Sequence, residues 1–168
     1  MAKSEAVVKK FYDGLDEGKF LAKKCPKCGN VEFPPNHACN ECGNLYNDWI
    51  ELSGDVVINE VYKLAAAFIL TQFTPYAPLF GAEVRLAEGS EFYSLVFGVD
   101  NDIYPELVKN PSVDGKLVVM PMDGYNTFAV AINGAVPVRK GEAKQTADNA
   151  AWNAMRLSEV EGKVDEEN

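Results

Sequence analysis

The chain has 168 residues, 47% hydrophobic and 11% aromatic, enough to bury one core with a small appendage. Its formal net charge is −9, yet seven of its sixteen lysines and arginines fall within residues 1–27 beside four acids, so the remainder is strongly acidic and unsuited to nonspecific phosphate-backbone binding. The richest apolar run, Leu64 to Phe73, is interrupted by Thr71 and Gln72 and too short to cross a membrane, so a soluble protein is expected.

Residues 5–17 place Val7, Val8, Phe11, Tyr12 and Leu15 at helical spacing, which predicts a short amphipathic helix whose apolar stripe packs on its own domain or on a partner. The four cysteines follow as Cys25-Pro-Lys-Cys28 and Cys39-Asn-Glu-Cys42. Each Cys-x-x-Cys turn offers two thiolates from one tight loop, and two such turns supply the four soft donors of a tetrahedral site. Gly29 and Gly43 follow the two hooks, where the chain turns back sharply and a residue without a Cβ takes positive φ freely. Residues 1–20 show no secretory apolar segment, so the cytosol is the expected compartment and metal is preferred to disulfides. A closed four-sulfur site leaves no position for substrate, so zinc here is structural, with iron the less favoured occupant. His37 lies beside the second hook but the site is already full. Phe33-Pro34-Pro35 stiffens the loop between the hooks.

From Trp49 the period becomes strand-like: 49–64, 79–89, 91–100, 116–122 and 126–134 read as five strands, with a hairpin at Glu88-Gly89-Ser90 and a helical turn over 104–109. The order β-β-β-α-β-β is that of a five-stranded OB-fold barrel. Residues 142–160 read as a terminal helix with Trp152 near the edge of its small-residue face. The expected fold is therefore mainly β: an N-terminal helix (1–19), a rubredoxin-like zinc ribbon (20–48), an OB-fold (49–138) and a C-terminal helical tail (139–168).

The combination of FYDGLDEGKF, CPKCG, FPP, CNECG and FTPYAPLFGAEVRLAEG resembles the acyl-CoA-associated OB-fold proteins with a zinc-ribbon N terminus, over about residues 8 to 133. The resemblance implies a small companion of a thiolase-superfamily enzyme, as in the archaeal thiolase/hydroxymethylglutaryl-CoA synthase complex, sterol side-chain thiolases or benzoylsuccinyl-CoA thiolase. It implies help with CoA-ester binding and with assembly of a hetro-oligomer, the CoA thioester lying at the shared interface. The acidic segment between the third and fourth strands and the long tail depart from the common pattern and favour a specialised degradative thiolase acting on an aromatic or branched β-ketoacyl-CoA.

The residue inventory agrees. Thiolase chemistry needs a free nucleophilic cysteine, a second cysteine and histidines, whereas all four cysteines here are committed and His37 is the one histidine. No GxSxG, HExxH, P-loop or Rossmann pattern occurs, so no catalytic residue is expected. CoA phosphates favour lysines, and Lys19, Lys23, Lys24 and Lys27 cluster near the ribbon; Lys24 and Lys27 are the expected phosphate contacts, with solubilisation of the ribbon the plain alternative. In the proline loop 71–80, Phe80 reads as barrel core, while Phe73 and Tyr76 are expected to be exposed and to contact CoA or a partner. Arg85 and Arg139 are weaker candidates. Two readings from other classes are a single-stranded nucleic-acid-binding module, which wants a basic groove, and a rubredoxin-type iron electron carrier, which wants a coloured metal.

Overall fold

The computed structural model describes residues 6–45, 48–65 and 69–143. The described residues divide into two compact units, those within 1–62 and 80–137 and those within 63–79 and 138–143.

In the first unit, helix α1 (Ala6–Asp16) buries Phe11, Gly14 and Leu15 and packs on the strands Leu21–Lys24 and Asn126–Ala131, which settles its apolar stripe mainly on its own domain. Val8 and Tyr12, one turn apart on the same helix, stay exposed. A three-stranded antiparallel sheet follows, ordered β2 (Val31–Glu32), β1 (Leu21–Lys24), β3 (Asp48–Glu51). The run 49–64, read as a single strand, is in fact two. Gly54 at φ +79° breaks it, so Trp49–Glu51 pairs with β1 of the ribbon while β4 (Asp55–Lys63) starts the barrel.

The remaining strands are β5 (Phe80–Leu86), β6 (Glu91–Phe97), β7 (Val113–Pro121) and β8 (Asn126–Ala131), closed in the order β4-β5-β6-β8-β7. Pairing of β6 with β8 is parallel, and β7 returns to β4, so the five barrel strands follow the OB-fold order with its single parallel seam. Alternation on β4 turns Val56 and Ile58 inward, the phase shifts by one residue before buried Val61, and Ala82, Val84 and Leu86 of β5 join the same core. The β5–β6 turn lies where expected: Gly89 has φ +101° and Leu86 N–H donates to Ser90 O at 2.8 Å. Helix α2 (Tyr104–Lys109) stands between β6 and β7 and contributes Leu107 to the core; it has no side-chain cap, but the turn before it is held by Asp100 Oδ1 accepting from the N–H groups of Asp102 and Ile103.

Phe33 joins these parts. Its ring centroid lies 4.7 Å from Phe128, 5.3 Å from Phe92 and 5.8 Å from Phe11, so one loop residue of the ribbon meets two barrel strands and α1. The ribbon is thus seated by aromatic edge-to-face contacts as well as by strand pairing.

The second unit contains a six-residue 3-10 turn, Thr71–Tyr76, in which Thr74 Oγ1 donates to Thr71 O. Lys140 N–H donates to Pro75 O at 2.7 Å and its Nζ to Ala77 O at 3.0 Å, so Lys140 is held against the end of this turn. The expected helix over 142–160, with Trp152, lies outside the described residues apart from its first two positions.

Candidate metal centre and its surroundings

The two hooks form matching knuckles. Gly29 N–H donates to Cys25 O and Cys25 N–H to Asn30 O; Gly43 N–H donates to Cys39 O and Cys39 N–H to Asn44 O, all between 2.8 and 2.9 Å. Gly29 and Gly43 have φ of +80° and +70°, and a Cβ at either would meet nothing within 4 Å, so backbone conformation rather than space requires glycine.

The four Sγ atoms lie within 4.8 Å of one another, with Cys25 to Cys42 and Cys28 to Cys39 each at 3.6 Å. A tetrahedral zinc with sulfurs at about 2.3 Å requires sulfur-sulfur edges of about 3.8 Å, so the donor set fits one such ion. Cys25 and Cys39 are buried, Cys42 is half-buried and Cys28 is exposed. His37 is exposed and outside this four-ligand group.

The electrostatics also call for a cation. Burial works against charge on Cys25, but the backbone N–H groups of Cys28 and Lys27 and the thiols of Cys42 and Cys28 outweigh it, and its thiol drops to about 6. Cys28, although the Asn30 amide favours its thiolate, is pushed up to about 12 by burial and by the sulfurs of Cys42, Cys25 and Cys39. One thiolate forms readily and resists the next. A divalent ion removes that conflict by supplying the compensating charge.

Around the metal ligands, Glu32 was missed by sequence reasoning. It is 7% exposed, and its carboxylate accepts from Asn30 Nδ2 at 3.2 Å, from Asn36 Nδ2 at 3.0 Å and from the Asn40 N–H. Asn30 follows the first hook, Asn40 sits inside the second, and Asn30 Nδ2 also reaches Cys39 Sγ at 3.8 Å. One buried carboxylate therefore ties the two knuckles together from outside the ligand set. The available signal was an acidic residue at a position where strand β2 enters the core.

Of the other candidates, Lys24 ends β1 and Lys27 lies within the first hook; both are exposed. Lys23 is instead buried at 9% exposure, with its Nζ 4.9 Å above the Trp49 ring and Lys10 Nζ at 4.8 Å from the same ring. Phe73 is half-buried in the 3-10 turn, and Phe80 is core as expected. Tyr76 corrects the expectation of exposure: it is 3% exposed, because the turn folds its ring inward beside buried Pro75. Arg85 pairs with Glu91 at 2.6 Å, and Arg139 Nε donates to Gly141 O.

Residues 13–45 match the ChsH2 rubredoxin-like zinc ribbon domain. This match covers both knuckles, and zinc is the ion that the ribbon's four cysteines suit. Among solved structures the chain is similar to the Ltp2-ChsH2(DUF35) aldolase, at 17% identity and a TM-score of 0.56, over 78% of this chain and 97% of that one. It is also similar to a DUF35-family protein of unknown function from Sulfolobus solfataricus, at 17% identity and a TM-score of 0.50, over 77% of this chain and 87% of that one. At such identity the likeness is one of fold. No curated protein sequence matches the chain. Among the described residues, no helix is long and apolar enough to cross a membrane.

Proposed function

We propose that this chain is a non-catalytic, zinc-containing companion subunit of a thiolase- or aldolase-type enzyme acting on acyl-CoA thioesters. The observation that carries the reading is that the chain's four cysteines converge on one closed metal site while its single histidine stands outside that site. Carbon-carbon bond chemistry by acid, base and thiol nucleophile then belongs to another subunit. The fold shared with the DUF35 component named in the aldolase complex supports the same role.

Within that role, the exposed Lys24 and Lys27 beside the metal serve the CoA phosphates. In the second unit, half-buried Phe73 is a separate aromatic contact for the CoA ester, with buried Tyr76 supporting its turn. The acyl group is an aromatic or branched β-ketoacyl chain, as in benzoylsuccinyl-CoA thiolysis, and the complex works in the cytoplasm. A nucleic-acid role is disfavoured by the chain's net charge of −9.

Affinity purification of the full chain from its native host tests the reading. A thiolase- or aldolase-type subunit should co-purify, and the complex should bind a CoA ester more weakly when Lys24 and Lys27 are changed to alanine. Recovery of no such subunit, together with no CoA-ester binding, overturns it.

A further inference from the structure

The outer wall formed by β4, β5 and β6 carries an arrangement that the metal ribbon and the CoA contacts do not use. The β5–β6 register sets Glu83 directly across from Tyr93 and Arg85 across from Glu91. Tyr93 is 70% exposed in mid-strand, and its hydroxyl donates to Glu83 Oε2 at 3.3 Å. Beside this pair the Tyr62 ring from β4 lies against Gly81, where an added Cβ would come within 2.2 Å of Tyr62 Cε2. Glycine at 81 is thus what lets a tyrosine ring lie close against the strand.

The wall is negative. Tyr93 is held above its ordinary pKa by Glu83, through charge and hydrogen bond, and Tyr62 by partial burial and then by Tyr93, Glu60 and Glu83. Arg85 on the same wall is paired with Glu91 at 2.6 Å. Tyr93 also borders a cleft of about 690 Å³, lined by Glu32, Glu41 and Glu91, between the ribbon and the β5–β6 turn.

We infer that the face centred on Tyr93 and Glu83 docks a basic, arginine-bearing segment of the partner enzyme subunit. The inference rests on the companion-subunit reading and names which surface meets the partner. Two tyrosine rings flanking carboxylates suit a planar guanidinium, which stacks on an aromatic face while its fork bonds a carboxylate; an ammonium offers neither plane nor fork. Phosphate-bearing ligands are repelled by the same carboxylates, and a purely apolar segment would leave them desolvated and unpaired. Exposed tyrosine, rigid and amphipathic, is a residue type that dominates protein interfaces.

Two measurements test this. An oligo-arginine peptide titrated into the full chain should shift the NMR ring signals of Tyr62 and Tyr93 before other tyrosines, with oligo-lysine weaker at equal charge. Calorimetry of the chain against the co-purified enzyme subunit should show Tyr93→Ala and Glu83→Gln each weakening binding by roughly tenfold or more, the Glu83 effect shrinking as salt rises. Tyr125→Ala, on the β7–β8 hairpin, should bind as wild type. Because Tyr93 is largely exposed, unchanged thermal melting of its variant checks that folding is intact. Equal affinity for all variants overturns the inference and leaves the companion role standing, as does loss confined to Tyr125→Ala. Peptide shifts absent from Tyr62 and Tyr93 overturn it without recourse to any partner, and absence of a co-purifying subunit counts against the companion role itself.

Discussion

At the scale of single residues, proton chemistry couples metal retention to pH. Each ligand must be a thiolate, and Cys28 is held up near 12 without metal while Cys25 lies near 6. A metal ion must therefore displace a proton from Cys28 at any neutral pH, and as pH falls below about 6 from Cys25 as well. The sign follows: protons compete with the ion, so affinity falls with falling pH. Competition against a chromophoric zinc chelator should show firm retention at about pH 7.5 and progressive release towards about pH 5. Retention that does not change with pH would show the ligands to be something other than ionising thiols. Glu32→Gln is the sharper probe, because one of its two oxygens becomes an N–H donor facing the Asn36 amide or the Asn40 N–H. Loss of a charge-assisted bond in a buried position costs on the order of 1–3 kcal/mol. Zinc release to the chelator should be faster in this variant with all four ligands present, and an unchanged rate would remove Glu32 from the metal's support. The cysteines were legible because their spacing is local and their chemistry narrow. Glu32 was not, since its partners come from three separated positions that only the folded loop assembles.

At the scale of elements, the same division between local and nonlocal signals holds. Helix α2 and the Gly89 turn were readable because each is decided by a few consecutive residues. The split at Gly54 was not, because Trp49–Glu51 is claimed by Leu21–Lys23 of β1, far earlier in the chain. Tyr76 was misread for a similar reason: prolines mark a turn, but whether its ring faces solvent depends on the packing of the turn. Phe33 carries the largest consequence. Read as part of a stiff spacer, it instead sits among Phe11, Phe92 and Phe128 at 3% exposure. Phe33→Ala would leave a void among rings whose positions are fixed by two strands and a helix, with little freedom to collapse. Such truncations cost about 3–5 kcal/mol, and chemical denaturation followed by far-ultraviolet circular dichroism should show a loss of that order. A loss below about 1 kcal/mol would mean that the cluster repacks and does not seat the ribbon.

At the scale of the whole molecule, the question is how far the metal's influence reaches. The ribbon strands are short, β2 having two residues and β1 and β3 four each, so their ladders alone cannot hold them. Their order depends on the ion at one end and on the Phe33 cluster at the other. The barrel has no such dependence: its strands run six to nine residues, it closes on itself, and its core of Val56, Ile58, Val84, Leu86 and Val130 contains no metal ligand. Removal of zinc by a strong chelator should therefore melt the chain in part. In amide hydrogen exchange the N–H groups of Ala22 to Lys24 and of the two knuckles should lose protection, while those of β5 and β7 keep it. The aromatic cluster sets the boundary, so β6 and β8 near Phe92 and Phe128 should show intermediate loss. Simultaneous exposure of ribbon and barrel would instead mean one cooperative unit, and the ion would then hold the entire fold rather than the ribbon alone. For a companion subunit the first outcome has a functional consequence: zinc would govern presentation of Lys24 and Lys27, while the Tyr93 face on the barrel would persist in the metal-free chain, so zinc removal should weaken CoA-ester binding more than it weakens association with the partner.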